Sequence, residues 1–279
     1  MRLSLHARRA GLVAAALVAV TACSGSSSGP KATPPTPSAS PAPPSTLADR
    51  VVADGAQALW TLQETRLQRG SALSQSVPGG PTAKVVGGTI ALTTGPRGLA
   101  AAQFFRSGRI VTSVTQTLDG AHAFTLEFSV RADTCSTAWG RVLGTTALTD
   151  KGREGFDVVH FPKLFKKSPC DLGAEFWHQG RFLGGCGPLL PPAKAWAHWV
   201  VSYSGGVVTC HVNGRQIGRS RVGTAFTQPG ALGIGGSGSG WQGPADGISL
   251  SDVAYYNKTL TPAEIAAHIR LERKAPAAG

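Results

Sequence analysis

The stretch WAHWVVSYSGGVVTCHVNG, residues 196–214, carries the strongest fold signal in this 279-residue chain. Its first half is apolar enough to be a buried strand. Its second half continues as GGVVTCHVNGRQIGRS, in which Asn213-Gly214 separates two strand-like runs and favours the type I′ turn of a hairpin. The stretch therefore predicts a buried strand followed by a β-hairpin.

Alternation of apolar and polar side chains predicts another strand upstream. In residues 123–132, AFTLEFSVRA, Phe124 and Phe128 would face one side. Glu127 and Arg131 would face the other side. This period of two is the pattern of a half-buried strand, with one face in the core.

The last segment predicts a helix. In TPAEIAAHIRLERK, residues 261–274, Thr261 has the position of an N-cap, and Pro262 and Glu264 follow as the first helical residue and the capping-box acid. Most of the remaining chain consists of short strand-like runs separated by Gly-rich turns. The chain is thus predicted to be all-β, a two-sheet antiparallel jelly-roll sandwich with a short C-terminal helix.

The composition limits the class of protein. Hydrophobic residues make up 42% of the chain and charged residues 15%, which suffices for a core and excludes wholesale disorder. The long apolar run, residues 11–22, is shorter than the roughly 20 residues that a membrane-spanning helix needs. An integral membrane protein, a coiled coil or a collagen-like chain is therefore not expected.

The N-terminal segment has the layout of an export signal. Three arginines precede the apolar run GLVAAALVAV, residues 11–20, as in a secretory signal peptide. The next residues, VTAC at 20–23, resemble a bacterial lipobox. The resemblance implies that residues 1–22 are a lipoprotein signal peptide and that Cys23 carries the lipid. The alternative is ordinary cleavage near Ala22 with a free cysteine.

Residues 23–46 are expected to be the lipidated Cys23 followed by a Pro/Ser-rich linker. Ser, Pro, Ala, Thr and Gly make up almost all of it, so it has too few apolar groups to fold, and its prolines favour extended polyproline II. Residues 47–279 would form one β-sandwich domain. We therefore expect an exported domain, outside the cytoplasm, that a lipid holds at the cell membrane.

The formal charge of +12 indicates which partners to expect. Four of the 27 Lys and Arg residues precede residue 47, whereas all 15 Asp and Glu residues follow it, so residues 47–279 are also basic. An exported basic surface would meet anionic lipid headgroups and anionic envelope polymers. Nucleic acid is not expected as a partner, because no groove-reading or base-stacking motif is recognisable. General solubility is the alternative explanation for the excess.

Four cysteines remain once Cys23 is assigned to the lipid. They are Cys135, Cys170, Cys186 and Cys210, an even number that predicts two disulfides in an oxidising compartment. Three pairings are possible. The shortest separation favours Cys170–Cys186 across a predicted hairpin, which would leave Cys135 to bond Cys210. No C-x-x-C motif occurs, so a zinc knuckle is not predicted.

Four segments of the chain carry a resemblance to a known family. They are ADGAQALWTLQE at 53–64, FTLEFSVR at 124–131, WAHWVVSYSGGVVTCHVNG at 196–214 and LSDVAYYNKTLTPAEIAAH at 250–268. In this order they resemble a laminin G-like domain of the concanavalin A-like lectin/glucanase superfamily. The resemblance implies a laminin G-like β-sandwich over residues 47–279, and it says less about function than about fold.

The resemblance raises the question of hydrolysis. Glucanases of this superfamily carry an E-x-D-x-x-E pattern, which places paired carboxylates on one face of a strand. This chain has no such pattern, and its nearest acidic pair, Glu154 and Asp157, would point to opposite faces of a strand. We therefore predict a non-catalytic protein.

Aromatic side chains near Gly-rich or polar turns are the candidates for glycan binding. Trp139, Trp177 and Trp241 could stack on sugar faces. His178 and Gln242 could form hydrogen bonds to sugar hydroxyl groups beside them. The alternative for the three tryptophans is packing in the core or among the loops.

Calcium is the one cofactor that the resemblance suggests, because related lectin sandwiches often bind it at a loop rim. Asp133, Asp157 and Asp246 lie in or beside predicted loops and could supply the oxygen ligands that calcium prefers. No calcium-loop consensus occurs, so no obligatory cofactor is predicted.

The expected function is that of a lipid-anchored, extracytoplasmic, non-catalytic binding module for envelope polysaccharide or an exported protein. Two alternatives stay open: a cell-surface enzyme that acts on polysaccharide through an unrecognised site, and a sandwich that binds a partner protein without sugar. A convergent pair of carboxylates in a groove would favour the enzyme. An exposed apolar patch would favour the protein partner.

Overall fold

The computed structural model describes residues 44–134, 139–161, 171–187, 194–239 and 247–274. In these ranges the helices are α1 (Leu47–Ala53) and α2 (Pro262–Arg273). The strands in them are β1 (Ala58–Trp60), β2 (Ala83–Thr94), β3 (Ala100–Thr112), β4 (Phe124–Ala132), β5 (Gly140–Gly144), β6 (Ala147–Thr149), β7 (Gly152–Phe161), β8 (Asp171–His178), β9 (Arg181–Cys186), β10 (Ala197–Ser204), β11 (Val207–Val212), β12 (Arg215–Arg221), β13 (Gly233–Ile234) and β14 (Ile248–Tyr256). Neither of these helices is long and apolar enough to span a membrane.

The strands join into one large antiparallel sheet, which confirms the all-β class. Its order is β12-β11-β10-β4-β14-β3-β13-β5-β7-β8-β9, with β2 on β3, β1 on β14 and β6 on β7. The two ends of this order meet, because a Cβ placed on Gly184 of β9 would lie 3.3 Å from Ser220 Oγ of β12. The structure differs from the predicted two-sheet sandwich in one detail. β13 pairs with both β3 and β5, so the two halves form one nearly closed sheet.

The core lies inside this curved sheet and is rich in aromatic side chains. Phe124 of β4 has its ring centroid 5.3 Å from those of both Phe156 on β7 and Tyr203 on β10. Phe176 of β8 and Phe226 pack edge to face at 5.1 Å. All five rings are buried. Aromatic pairs of this kind add about 0.5–1.5 kcal/mol each beyond area burial, so they hold the two halves of the sheet together.

β4 is buried on both faces, so the prediction of a half-buried strand is wrong for its outward side. Thr125, Glu127 and Ser129 point away from the core and are nevertheless buried. The reason is that α1 and α2 cover this face, where Val51 and Ile265 belong to a second, smaller apolar cluster. The outward face of β4 therefore contacts helices instead of solvent.

Two short-range predictions are confirmed. Thr261 Oγ1 accepts a hydrogen bond from the Glu264 N–H while the Glu264 carboxylate accepts one from the Thr261 N–H, and this capping box begins α2. Asn213 and Gly214 have φ values of 50° and 82° and join β11 to β12. These left-handed values are the ones that a type I′ turn needs.

The disulfide differs from the predicted pairing. Cys186, the last residue of β9, is bonded to Cys210 of β11 with the two Cα atoms 6.0 Å apart, and not to Cys170. The predicted hairpin of β8 and β9 is present, but Cys186 lies opposite Ala174 in it. β9 meets β11 and β12 where the sheet nearly closes, and the bond crosses that seam. Cys135 and Cys170 lie outside the described residues.

The N-terminal predictions also lie outside the described residues, including the signal peptide, the lipid site Cys23 and almost all of the linker. The described chain begins at residue 44. Thr46 then caps α1 by a reciprocal pair of hydrogen bonds with Asp49. All described residues belong to one compact unit, Pro43–Gly279.

Candidate functional site

A groove opens on the outward face of β8 and β9. It has a volume of about 520 Å³ and adjoins a second cavity of about 620 Å³ over β5 and β7, with Trp139 and Glu175 in both linings. Strand alternation explains this face, since Phe176 of β8 fills the core while Glu175 and Trp177 point outward. The two adjoining cavities are called the groove below.

Three aromatic side chains form the apolar wall of the groove. Trp139 precedes β5 and is 48% exposed, and Phe182 of β9 is 52% exposed. Trp177 lies opposite Phe182 across the β8–β9 hairpin, with ring centroids 5.3 Å apart. The hairpin turn at Gln179-Gly180, with φ values of 48° and 77°, puts these two rings side by side. A ligand from solvent can therefore reach broad aromatic surfaces here.

Charged side chains lie beneath this wall, and the guanidinium of Arg153 lies 4.1 Å from the centre of the Trp177 ring. Arg153 Nη2 donates to Asp157 Oδ2 at 3.0 Å and to Glu175 Oε2 at 3.1 Å. The Trp177 Nε1–H donates to the same Glu175 oxygen at 3.2 Å. Arg141 Nε donates to Asp157 Oδ2 at 2.6 Å. Two cations thus balance two carboxylates.

These charges differ in their access to solvent. The Asp157 side chain is completely buried, whereas those of Arg153 and Glu175 are 16% and 10% exposed. Burial lowers the pKa of the Arg153 guanidinium, and the carboxylate of Asp157 opposes that shift. Arginine remains protonated in proteins. Asp157 therefore orients the arginines from below, and Arg153 and Glu175 are the polar groups that a ligand would meet.

This arrangement suits an amphipathic ring. The C–H face of a sugar can lie on an aromatic plane, while its hydroxyl groups reach hydrogen-bonding groups at the edge of that plane. Ligand sites in general combine apolar walls with a few fixed polar groups. Trp139 and Phe182 supply such walls, and the Arg153–Glu175 pair supplies a donor and an acceptor.

Two of the residues predicted to contact glycan meet in the groove. Trp139 and Trp177 line it. His178 follows Trp177 on β8 and points to the opposite face, where its Nδ1 lies 3.1 Å from a Glu154 carboxylate oxygen. The two others, Trp241 and Gln242, lie outside the described residues.

The groove also contains residues that the sequence did not single out. Phe182 follows the Gln179-Gly180 turn by two residues and Trp177 precedes it by two, so a two-residue hairpin turn would have predicted their pairing. Arg153 and Glu175 gave no comparable signal. They become neighbours only through the register of β7 and β8, which pairs Asp157 with Glu175.

Two of the three predicted calcium ligands are described, and both are held by other side chains. Asp133 accepts hydrogen bonds from Arg131 Nε at 2.6 Å and from Gln103 Nε2 at 2.9 Å. Asp157 is held by two arginines, and these cations disfavour Ca²⁺ beside either aspartate. Asp246 lies outside the described residues. Within the described ranges, no group of three or more His, Cys, Asp or Glu side chains is placed to hold a metal.

A second polar cluster is buried between the outward face of the sheet and the helices. Glu127 of β4 lies at its centre, with Oε1 2.7 Å from His198 Nε2 on β10 and 2.8 Å from His268 Nδ1 on α2. The Tyr256 hydroxyl of β14 donates to Glu127 Oε2 at 2.7 Å. Three strands and α2 are thus connected through one carboxylate.

Each histidine of this cluster reaches a further carboxylate. His198 Nδ1 lies 2.7 Å from Glu272 of α2, and His268 Nε2 lies 2.8 Å from Asp54 at the end of α1. Burial alone would lower the pKa of His198, but its contacts with Glu127 and Glu272 raise it to about 10. At Glu127 burial alone would raise the pKa of the carboxyl group, but its contacts with His198 and His268 hold that pKa below its usual range. These six residues, Asp54, Glu127, His198, Tyr256, His268 and Glu272, are called the helix-docking network below.

Known proteins share the fold of this chain. The family model Laminin_G_3, concanavalin A-like lectin/glucanases superfamily, matches residues 106–266. No curated protein matches the chain. Among solved structures, domain 4 of AbnA, a GH43 extracellular arabinanase from Geobacillus stearothermophilus in complex with arabinotriose, is similar at 18% identity and a TM-score of 0.52, covering 77% of this chain and 98% of that one.

A sialidase shares the fold as well. Trypanosoma rangeli sialidase in complex with sialic acid is similar at 16% identity and a TM-score of 0.54, over 76% of this chain and 32% of that one. A mutant of this sialidase with trans-sialidase activity gives 15% identity and a TM-score of 0.57, over 79% and 34%. This chain therefore spans about a third of the sialidase's length. At these identities the likeness concerns the fold.

Proposed function

Because this chain belongs to the concanavalin A-like lectin/glucanase superfamily, we propose that it is a non-catalytic carbohydrate-binding protein. It binds envelope glycans through the groove, and a lipid on Cys23 holds it at the membrane outside the cytoplasm. The observation that carries the proposal is the pair of exposed rings, Trp139 and Phe182, beside the hydrogen-bonding Arg153–Glu175 pair.

Exposure of such rings supports a binding role. Large apolar side chains that remain accessible in a folded protein are informative when they occur together in a concave surface. Trp139 and Phe182 meet this condition because both line the same groove. Leu148, at 60% exposure, is also accessible but is absent from the linings of the groove.

The solved relatives support glycan as the ligand class. The arabinanase domain was solved with arabinotriose and the sialidase with sialic acid, and those ligands belong to those proteins. Their shared fold makes a sugar the first ligand to test here. Fold likeness alone does not assign function, so the side chains of the groove carry the argument.

The N-terminal sequence supports anchoring. The lipobox-like VTAC precedes residues 24–46, whose prolines favour an extended form. At about 3.1 Å per residue this segment could span about 70 Å. That reach would let the groove engage polymers away from the membrane surface. In Cys23→Ser the protein should move from the membrane fraction to the soluble fraction, and an unchanged membrane association would contradict the anchor.

Retention on polysaccharide tests the binding role. The lipid-free Cys23→Ser chain, with its disulfides intact, is mixed with isolated envelope polysaccharides, and the bound fraction is measured. Trp139→Ala/Phe182→Ala should weaken retention by roughly tenfold or more, since each ring contributes about a kcal/mol or more of contact. Leu92→Ala is the matched control, because it removes an exposed apolar side chain from β2, which pairs with β3 and does not line the groove. Equal retention by both variants would contradict the proposal.

One observation favours a second candidate, an enzyme that acts on polysaccharide. Asp157 and Glu175 are register partners on adjacent strands, so two carboxylates converge in the groove region. Against this role, Asp157 is fully buried and Arg153 bridges both carboxylates. Release of oligosaccharides by the wild type and its loss in Glu175→Gln would replace the binding role with catalysis. If the protein neither binds polysaccharide nor releases oligosaccharides, an exported protein becomes the expected partner.

A further inference from the structure

The chain next to the groove carries charge of one sign. Residues 176–245 contain no Asp or Glu and five cationic side chains. The five cations are Arg181, Lys194, Arg215, Arg219 and Arg221, all of them exposed. β9 and β12 therefore present positive charge without acidic neighbours from their own segment of the chain.

Arg219 and Arg221 of β12 are the cations that border the groove. They are two positions apart on a strand, so they project from one face with a spacing of about 7 Å. Together with Val207 and Ser220 they line a cavity of about 280 Å³. Ser220 is also part of the lining of the groove, so the two spaces adjoin at this residue.

β9 brings an exposed aromatic ring to the same place. A Cβ on Gly184 would lie 3.3 Å from Ser220 Oγ and 3.7 Å from the carbonyl oxygen of Arg221, so β9 and β12 are in contact here. Phe182 precedes Gly184 by two residues, with a β-bulge between them, so it lies within about 7 Å of this contact. An aromatic plane and two guanidinium groups are thus within reach of one short oligosaccharide.

These arginines differ from those inside the groove. Arg141 and Arg153 are neutralised by Asp157 and Glu175. By contrast, no ion pair in the described part of the chain involves Arg219 or Arg221. Their charge is therefore available to a ligand.

From this arrangement we infer that the groove and the Arg219–Arg221 pair form one binding site for acidic polysaccharide. The inference rests on the proposed function and narrows its ligand class. A sugar ring stacks on Phe182 and Trp139, and a carboxylate or phosphate group of the same glycan lies between the guanidinium groups. Each guanidinium presents a planar fork of N–H donors that matches two oxygens of such an anion. A neutral glycan leaves both arginines unused.

Matched polymer pairs test this inference on the lipid-free Cys23→Ser chain. The probes are polygalacturonate with its methyl ester, and phosphomannan with dephosphorylated mannan; each pair shares a sugar backbone and differs in its anionic groups. The test variant is Arg219→Gln/Arg221→Gln. Arg66→Gln/Arg69→Gln is the control, because it removes the same charge from exposed arginines in the loop between β1 and β2, strands that pair with β14 and β3.

The wild type should bind at least one acidic polymer about tenfold more tightly than its neutral partner, and the responding pair identifies carboxylate or phosphate as the group. The Arg219→Gln/Arg221→Gln variant should lose this preference and keep its affinity for the neutral polymer. The control should keep most of the preference, and added salt should weaken it.

Three results would overturn the inference. Equal affinity for the acidic and neutral members of both pairs would do so, and if that binding still depended on Trp139 and Phe182 the proposed function would stand. If the two arginine variants lost the preference for the acidic polymer equally, the binding would reflect a general attraction to a basic surface. Absence of binding to all four polymers would also overturn the inference; loss of retention on isolated envelope polysaccharides as well would contradict the proposed function together with it.

Discussion

His198→Gln tests how much the helix-docking network stabilises the fold. In the wild type the imidazole lies 2.7 Å from Glu127 on one side and 2.7 Å from Glu272 on the other, and all three groups are buried. The substitution keeps an amide near Glu127 but removes the positive charge between the two carboxylates. Two buried anions then face each other across a neutral side chain.

Two physical arguments give a similar magnitude for this loss. Breaking a buried ion pair by removing one partner costs about 3–5 kcal/mol. The pKa of His198 is about 10 in the folded chain against 6.5 for a free histidine, and at pH 7 this difference corresponds to about 4 kcal/mol. Domains of this kind unfold with a free energy of about 5–15 kcal/mol, so His198→Gln should remove a large part of it.

Urea unfolding at pH 7, followed by tryptophan fluorescence, measures the loss. His122→Gln is the matched control. His122 Nδ1 also lies 2.7 Å from a carboxylate, that of Asp119, but its side chain is 54% exposed. An exposed pair contributes about 0–1 kcal/mol, so the control should unfold almost as the wild type does. If the two variants lost the same free energy, burial would not be the source of the stability, and the reasoning would be refuted.

Three further changes test other parts of the fold. Raising the pH from 6.5 to 10 should lower the unfolding free energy of the wild type more than that of His198→Gln in urea titrations at each pH. A histidine whose pKa is raised to about 10 on folding stabilises fully below its unfolded pKa and loses that contribution as the pH approaches 10, whereas the variant keeps only His268, whose pKa is also raised. Replacing Cys186 and Cys210 by alanine should lower the urea midpoint by the equivalent of about 3 kcal/mol, because their bond closes a loop with a sequence separation of 24. A protease digest of the non-reduced protein should contain a peptide pair joined through these two cysteines, and its absence would contradict the pairing. Gly214→Ala should lower the thermal midpoint by the equivalent of about 1 kcal/mol or more, because Gly214 has a φ of 82° and a Cβ there would lie 3.0 Å from a side chain of α2. Gly205→Ala is the control, because Gly205 also has a positive φ but has open space around it, so this variant shows the backbone strain alone. Equal losses in the two variants would show that the contact with α2 is irrelevant.

Local signals in the sequence predict the elements that they define. Asn213-Gly214 forms the β11–β12 turn and Thr261 with Glu264 begins α2, because the groups that decide each feature are at most three residues apart. The alternation around Phe124 likewise predicts which face of β4 enters the core. Backbone geometry fixes these relations whatever the rest of the chain does.

Predictions that depend on distant segments fail for a common reason. Cys186 bonds Cys210 because β9 and β11 meet at the seam of the sheet, and separation along the chain does not reveal that meeting. The outward face of β4 is buried because Glu127 contacts a histidine 141 residues away. In the groove, Trp177 was identified from its turn, whereas the Arg153–Glu175 pair depends on the register of two strands.

The helix-docking network explains why family resemblance and ligand choice are separate questions in this chain. Asp54, Glu127, His198 and His268 come one from each of the four segments that carry the resemblance, and all four meet beneath the helices. The groove is built mainly by residues 139–187, which contain none of those segments. The segments that carry the resemblance therefore supply the contacts that attach α1 and α2 to the sheet. The side chains over β7, β8 and β9 lie outside these segments, so membership of the family predicts the fold, and the ligand has to be argued from the groove itself.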